Sequence, residues 1–354
     1  MFSPSTLHDL ASGKRRGLLP SLFRVTAAAL ELLVAWYVRR RNRQYDNGLQ
    51  EIVRVAAPVI SVGNLTVGGT GKTPLVEWLA QTLQAQGQQV VLISRGYGAA
   101  VGQANDEARE LAAKLPGVLH LQNADRVAAA QQAVAEHPGC VLLLDDAFQH
   151  RRLHRDLDIV LIDALAPFGY EHLIPRGLLR EPVASLSRAQ AVILSRANLV
   201  SDGERAAIQA RVKNLAPNAV WAEAVHATRA LISAAGNAQS IDWLRGKRVA
   251  AFCGIGNPTG FRRTLELAGA EVIAWRELPD HCAYGESLLN ALDAWAAASS
   301  ADAIVCTHKD LVKIARDRLG HRPLFALVVG LEFTVGEPAI KALVRDATEF
   351  HERR

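Results

Sequence analysis

A chain of 354 residues, 49% hydrophobic and 21% charged, is globular and has room for two α/β domains or one large one, which excludes a disordered or low-complexity protein. The formal net charge of +5 fits an anionic partner without naming it. Cys140, Cys253, Cys282 and Cys306 lie far apart with no C-x-x-C pair, so neither a zinc site nor a disulfide framework is indicated, and a reducing, cytoplasmic compartment is the simplest reading.

Lys14, Arg15 and Arg16 precede an apolar stretch, and Arg39, Arg40, Arg41 and Arg43 follow it. Such flanks suit an anionic membrane surface, where each basic residue is worth about 1 kcal/mol. Nucleic acid ranks lower because no stacking aromatics interleave the cluster. From Gly17 to Val38 only Arg24 and Glu31 are charged. The basic flank and the lack of a small-residue cleavage site argue against a signal peptide. Ser21, Arg24, Ala28, Glu31, Ala35 and Arg39 recur at steps of three and four, one polar stripe of a helix, while Leu22, Phe23, Leu30, Leu33, Val34 and Tyr37 fall elsewhere. This pattern favours a helix lying in the membrane interface over an ordinary amphipathic helix packed on the core, with a bilayer-spanning helix third. Trp36 and Tyr37 near the basic end suit headgroup depth.

Beyond Arg43, short apolar runs alternate with helical stretches. Strands are expected at Pro58–Val62, Gln89–Ile93, Val118–Leu121, Val141–Leu144, Ile159–Ile162 and Ala191–Leu194, with helices over Thr73–Gln84 and Ala124–Glu136. Continuous rather than alternating apolar runs mark strands buried on both faces of a parallel sheet, hence a doubly wound α/β domain. A second set begins near Arg248, with strands at Val249–Cys253, Glu271–Ala274 and Ala303–Cys306 and helices over Pro258–Ala268 and Glu286–Ala298. The less sharply patterned region around Arg205–Asn218 separates the two sets.

Thr66-Val67-Gly68-Gly69-Thr70-Gly71-Lys72-Thr73 follows a strand and opens a helix, the context a phosphate loop requires. Its glycines let backbone N–H groups converge on phosphate oxygens, and the helix N-terminus favours negative charge. Lys72 would reach the β- and γ-phosphates and the Thr73 hydroxyl would help hold Mg²⁺. Thr66 stands where the strict pattern has glycine, and the bland alternative is a glycine-rich structural turn. Cys140-Val141-Leu142-Leu143-Leu144-Asp145-Asp146 supplies an apolar strand ending in two carboxylates, one of which would join the Mg²⁺ shell. The nearest match to a guanine-reading Asn-Lys-x-Asp, Thr307-His308-Lys309-Asp310, has the wrong order, which favours ATP over GTP.

Several further segments, taken in order, resemble the tetraacyldisaccharide 4′-kinase family of lipid A biosynthesis over nearly the whole chain. They are Pro58-Val59-Ile60-Ser61-Val62-Gly63-Asn64-Leu65 running into the loop, Ser94-Arg95-Gly96-Tyr97, Asp106-Glu107, Asp145-Asp146 with Gln149-His150, Leu179-Arg180-Glu181-Pro182, Gly254-Ile255-Gly256-Asn257-Pro258, Pro279-Asp280-His281, and Thr307 with Lys309-Asp310. The family tolerates Ser or Thr at the position of Thr66. Ala147, and Asn105 before Asp106, replace glycines the family pattern leads one to expect.

The resemblance implies transfer of the ATP γ-phosphoryl group to the 4′-hydroxyl of a tetraacylated disaccharide 1-phosphate, giving lipid IVA. It implies a monotopic enzyme on the cytoplasmic face of the bacterial inner membrane; from the residues themselves, neither a nucleic acid nor an obligate protein partner is expected. Its fold would be a P-loop NTPase-like parallel-sheet domain and a smaller α/β domain joined by a two-stranded hinge. On this chain the division is an interfacial helix region over 1–45, a kinase domain over 46–223 with the tail 335–354 returning to it, and a second domain over 224–334. The hinge strands would lie near Ala224–Ser233 and Leu324–Thr334.

By position the family's base corresponds to Asp106, with His281 as its hydrogen-bonding partner. Read alone, Asp106 is a first-turn helix acid and His281 a solvated loop histidine. The two would come from different domains, so the assignment requires domain closure, which would also exclude water. Carried over with them, Arg126 would stabilise phosphate charge and Glu181 would assist the metal shell or the acceptor; Gln149 is placed with the nucleotide site, with no role assigned by the resemblance. Two rivals are a soluble small-molecule kinase, whose apolar helix packs on the core, and a membrane-bound NTPase switch, which would need neither a lipid acceptor nor His281.

Overall fold

The computed structural model describes residues 17–96, 111–112, 114–256, 258–279 and 282–352. They form two compact units. The first holds the described residues up to 96, Leu115–Val225, and the chain from Leu331 onward. The second holds His226–Gly330 with the described residues among 100–114.

The first unit is built on β1 (Val59–Asn64), β2 (Val90–Ser94), β3 (Leu119–Gln122), β4 (Val141–Asp145), β5 (Leu157–Asp163), β6 (Ala191–Ser195) and the start of β7 (Val220–Ile232). They lie in the order β7-β6-β5-β1-β4-β2-β3, every pair parallel. All residues of β1, β2, β4 and β6 are buried, because core clusters cover both faces of the sheet and so demand continuous apolar runs. β1 sits between β4 and β5, with Val62 opposite Asp145 and Asn64 opposite Leu161. The carboxyl ends of three strands therefore open side by side, where ligands bind in sheets of this kind. Gly63 is required there: a Cβ would stand 2.5 Å from the Phe148 Cβ and 2.8 Å from its nitrogen.

Helices α1 (Leu18–Asp46), α2 (Lys72–Ala85), α3 (Arg126–Glu136) and α4 (Asp202–Leu215) follow the chain. α2 buries Leu75, Val76, Leu79, Ala80 and Leu83. The Asp125 side chain caps α3 by accepting from the Val127 and Ala128 N–H groups. α4 occupies the weakly patterned separator. Ile208 and Val212 are its buried residues, too narrow an apolar stripe to show in the sequence, and a Ser201–Glu204 capping box starts it instead.

The second unit contains β8 (Ala238–Gln239), β9 (Arg248–Cys253), α5 (Pro258–Leu267), β10 (Glu271–Glu277), α6 (Glu286–Ala298), β11 (Ala303–Thr307), α7 (His308–Ile314), β12 (Arg318–Leu319) and most of β13 (Arg322–Val335). Its parallel strands run in the order β10-β9-β11-β13. Asp310, fully buried, accepts from the Gly254 N–H at 3.1 Å, the Tyr284 hydroxyl at 2.8 Å and the Thr307 hydroxyl at 2.6 Å. Burial, then the Asp310 charge, push the Tyr284 phenol well above its ordinary pKa. The chain leaves the first unit within β7 and returns to it within β13, ending in α8 (Glu337–Glu352). There the Trp78 and Phe333 rings pack 4.8 Å apart.

α1, at about 1.5 Å per residue some 43 Å long, is long and apolar enough to cross a membrane. It meets the first unit along one line, on which Ala27, Ala35, Val38 and Asn42 are buried. Glu31 on that line accepts from the Leu173 N–H at 3.0 Å and pairs with Arg176 at 3.2 Å. Arg151 donates to the Asn42 carbonyl at 3.0 Å and to Asp46 at 2.7 Å. The expected polar stripe shares only Glu31 and Ala35 with this line; Ser21 and Arg39 are exposed. Leu22, Val25, Leu30, Leu32, Leu33, Trp36 and Tyr37 all face solvent, each more than half exposed.

Candidate active site

The phosphate loop joins β1 to α2. Left-handed backbone at Gly68 (φ 112°) and Gly71 (φ 88°), open to glycine without strain, turns the chain so that α2 starts at Lys72. Among the described residues no backbone hydrogen bond takes up the N–H groups of Gly68, Gly69 or Gly71. The loop's flanks are fixed: the Val67 N–H donates to Leu178 O at 2.7 Å, the Arg180 N–H to Leu65 O at 2.7 Å, and Thr66 forms an antiparallel bridge with Leu179. Thr66, only 6% exposed, is thus a packed loop shoulder, which is why a β-branched residue is accommodated in place of glycine.

Asn64 organises the interior. Its Nδ2 donates to Thr66 O at 2.7 Å and to Thr70 Oγ1 at 3.1 Å. Its Oδ1 accepts from Lys72 Nζ at 3.3 Å, and its backbone carbonyl accepts from Gln149 Nε2 at 2.9 Å. Lys72 also stands 3.5 Å from Asp146, and Arg180 grips both oxygens of that carboxylate at 2.7 and 2.8 Å. Burial opposes the Asp146 charge, but Lys72 and Arg180 outweigh it and hold the carboxyl below its usual range. Buried Arg126 reaches the Asp146 carbonyl at 3.3 Å; burial lowers its pKa, with Asp146 opposing.

The loop, Lys72, Thr73, Arg126, Gln149, Asp145 and Asp146 therefore gather at one end of the sheet. Asp106 and His281 lie outside the described residues. Glu181 is placed differently from the metal role suggested for it. It is fully buried, with one oxygen on Arg41 at 2.9 Å and the other on Arg188 at 2.8 Å and Asn42 Nδ2 at 3.2 Å. Burial raises its pKa, yet Arg188 and Arg41 pull it below the ordinary value. Both oxygens accept from protein cations and an amide, and two of those donors, Arg41 and Asn42, come from α1, so the arrangement ties Glu181 to that helix.

Sequence reasoning gave no role to Asn64 or Arg180, although both stand in recognisable segments beside the loop. Polar residues at the ends of apolar runs were the available signal. Thr73 and Asp145 offer hard oxygen donors of the kind Mg²⁺ takes. Among the described residues no cluster of three or more His, Cys, Asp or Glu side chains could cage a metal.

A central parallel sheet, a strand–loop–helix ending in Gly-Lys-Thr and an acidic strand end beside it define a P-loop enzyme of the phosphoryl-transfer class. Residues 24–349 match the family described as tetraacyldisaccharide-1-P 4′-kinase (LpxK). A tetraacyldisaccharide 4′-kinase of Anaeromyxobacter dehalogenans (strain 2CP-C) is 42% identical over 291 residues, 77% of each chain. One of Geobacter sulfurreducens is 36% identical over 348 residues, covering 93% of this chain and 95% of its own. The crystal structure of LpxK from Aquifex aeolicus in complex with ATP superposes with a TM-score of 0.73 at 28% identity, over 92% of this chain and 99% of that one. The chain belongs to the tetraacyldisaccharide 4′-kinase family, the kinases of one step in lipid A biosynthesis. Family and apolar helix together point to membrane association.

Proposed function

We propose that this chain transfers the γ-phosphoryl group of ATP to the 4′-hydroxyl of a tetraacyldisaccharide 1-phosphate, working from the cytoplasmic surface of the inner membrane. The carrying observation is the Gly-Lys-Thr loop with its lysine held between Asn64 and Asp146, in a chain of this family. The loop amides cradle the triphosphate, and Lys72 exchanges its carboxylate partner for phosphate oxygens. Arg126, Gln149 and Arg180 border that space. Thr73 and Asp145 would hold Mg²⁺, which neutralises phosphate charge when bound. The 4′-oxygen forms a bond to the γ-phosphorus, the bond to the ADP oxygen breaks, and the hydroxyl proton passes to Asp106, which His281 orients.

The disaccharide reaches the site from the bilayer. α1 is seated on the rest of the first unit by its line of Ala27, Glu31, Ala35, Val38 and Asn42 and lies in the interface with its outward apolar side chains in lipid, which makes the protein peripheral rather than spanning. Its basic end, Arg39, Arg40 and Arg43, meets anionic headgroups.

The test is to incubate the purified protein with ATP, Mg²⁺ and the disaccharide in mixed micelles and to follow label from the γ-phosphate into lipid. Phosphorylated lipid is expected, with turnover lowered at least ~100-fold in Lys72→Ala and in Asp106→Ala while both remain folded. ATP hydrolysis with no labelled lipid would favour the NTPase rival. Near-normal turnover in Asp106→Ala would remove it as the base.

A further inference from the structure

A phosphate loop that turns its N–H groups toward an anion turns its carbonyls the other way, and those carbonyls need donors. Here each has one. Thr66 O takes Asn64 Nδ2 and Gly68 O takes the Thr70 N–H at 3.1 Å. The other two are held from β6: Gly69 O accepts from Arg196 Nη2 at 3.1 Å, and Thr70 O accepts from Ser195 Oγ at 2.8 Å. Two consecutive residues at the end of one strand thus grip two consecutive carbonyls of the loop.

The grip is itself braced. Ser195 is fully buried, and Asp163 stands opposite it in the β5–β6 register. The Asp163 carboxylate receives the Arg196 fork, Nε to Oδ1 at 3.0 Å and Nη2 to Oδ2, and also the Leu165 N–H at 3.1 Å. Arg196 has φ 57° and ψ 34°, the left-handed region that arginine seldom occupies and that persists only where the surroundings over-determine it. That backbone carries the guanidinium back over the loop, where Nη2 serves the Asp163 carboxylate and the Gly69 carbonyl at once.

We propose that Ser195 and Arg196, braced by Asp163, are positioning residues for ATP: they hold the loop carbonyls outward so that the amides are aimed at the phosphates before nucleotide arrives. The proposal rests on the reading that this loop binds ATP. A loop ordered in advance spends none of its binding free energy on becoming ordered, so the clasp acts on nucleotide affinity and not on the lipid acceptor.

The experiment uses the full chain with Ser195→Ala, Arg196→Asn and Arg196→Lys. Asparagine tolerates the left-handed backbone, and lysine keeps a donor able to reach both partners. ATP affinity is measured by calorimetry with Mg²⁺, and KM for ATP and for the disaccharide are measured separately. Ser195→Ala and Arg196→Asn are expected to weaken ATP binding and raise its KM by about 10-fold each, with kcat at saturating ATP and the disaccharide KM within about twofold of the parent. Arg196→Lys recovers part of the loss. Unchanged ATP affinity in variants whose melting temperature falls, or a disaccharide KM that rises as much as that for ATP, overturns the clasp. An unsubstituted chain that binds no ATP overturns the underlying reading instead.

Discussion

Glu181, His120 and His150 show how single side chains are set by what surrounds them. Glu181 has no contact with water and sits between Arg41 and Arg188, so removing its carboxylate leaves two cations partly buried and unpaired. Glu181→Ala should destabilise the protein by about 3 kcal/mol, read as a lower urea midpoint. The Mg²⁺ concentration for half-maximal turnover should not move; a large rise would return Glu181 to the metal shell. Burial brings His120 down to about 4, and burial followed by the Arg126 charge does the same for His150. Both stay neutral in the fold where the unfolded chain, titrating near 6.5, already takes up protons. The unfolded state therefore binds more protons between those values, and stability falls as pH drops from about 6.5 toward 4. A His120→Gln, His150→Gln variant should show a shallower decline of melting temperature over that range, and an unchanged slope would assign it to the carboxylates.

Among the elements, α1 shows most clearly what pattern alone leaves open. Its composition announces an amphipathic helix, but which line turns inward depends on partners from distant segments: Leu173 and Arg176 for Glu31, Arg151 for Asn42, Glu181 for Arg41. These contacts take up the polar atoms and leave Leu32, Leu33 and Trp36 outward, between 61% and 72% exposed. Each such side chain entering lipid gains about 1.5–3 kcal/mol, so Leu32→Glu with Trp36→Glu should abolish flotation with anionic vesicles while ATP affinity is retained. Vesicle binding equal to that of the parent would show that this face does not enter the bilayer. α4 is the opposite case, an element set by its capping box and helix formers with little apolar signal to read.

Across the whole molecule, the chain passes between its two units within β7 and β13, and each unit carries its own core. Asp310 supports the second one: three donors converge on a carboxylate with no exposure. Asp310→Ala leaves Tyr284 and the Gly254 N–H without their acceptor, at about 2–4 kcal/mol. A lowered denaturation midpoint with unchanged ATP affinity is expected, because the phosphate loop belongs to the other unit. A tenfold loss of ATP affinity would contradict that separation.

The parallel sheets, most strand positions to within a residue or two, the phosphate loop and its acidic strand end were legible in the chain, because apolar runs and Gly-Lys-Thr act through contacts a few residues long; β10 runs three residues beyond the expected Ala274 and β7 starts four before the expected Ala224. Arg180, Ser195 and Arg196 were not, since each acquires its role from a partner that only the packed fold brings near; Asn64 was not either, because its part rests on the bend of the loop onto its side chain rather than on any periodicity. The same holds for Glu181: Arg188 is seven residues on, but Arg41 and Asn42 come from a helix some 140 residues away in the chain. Local periodicity determines which segments form; the pairing of buried charges is decided only when those segments pack, because a buried carboxylate takes whichever cations the fold delivers to it.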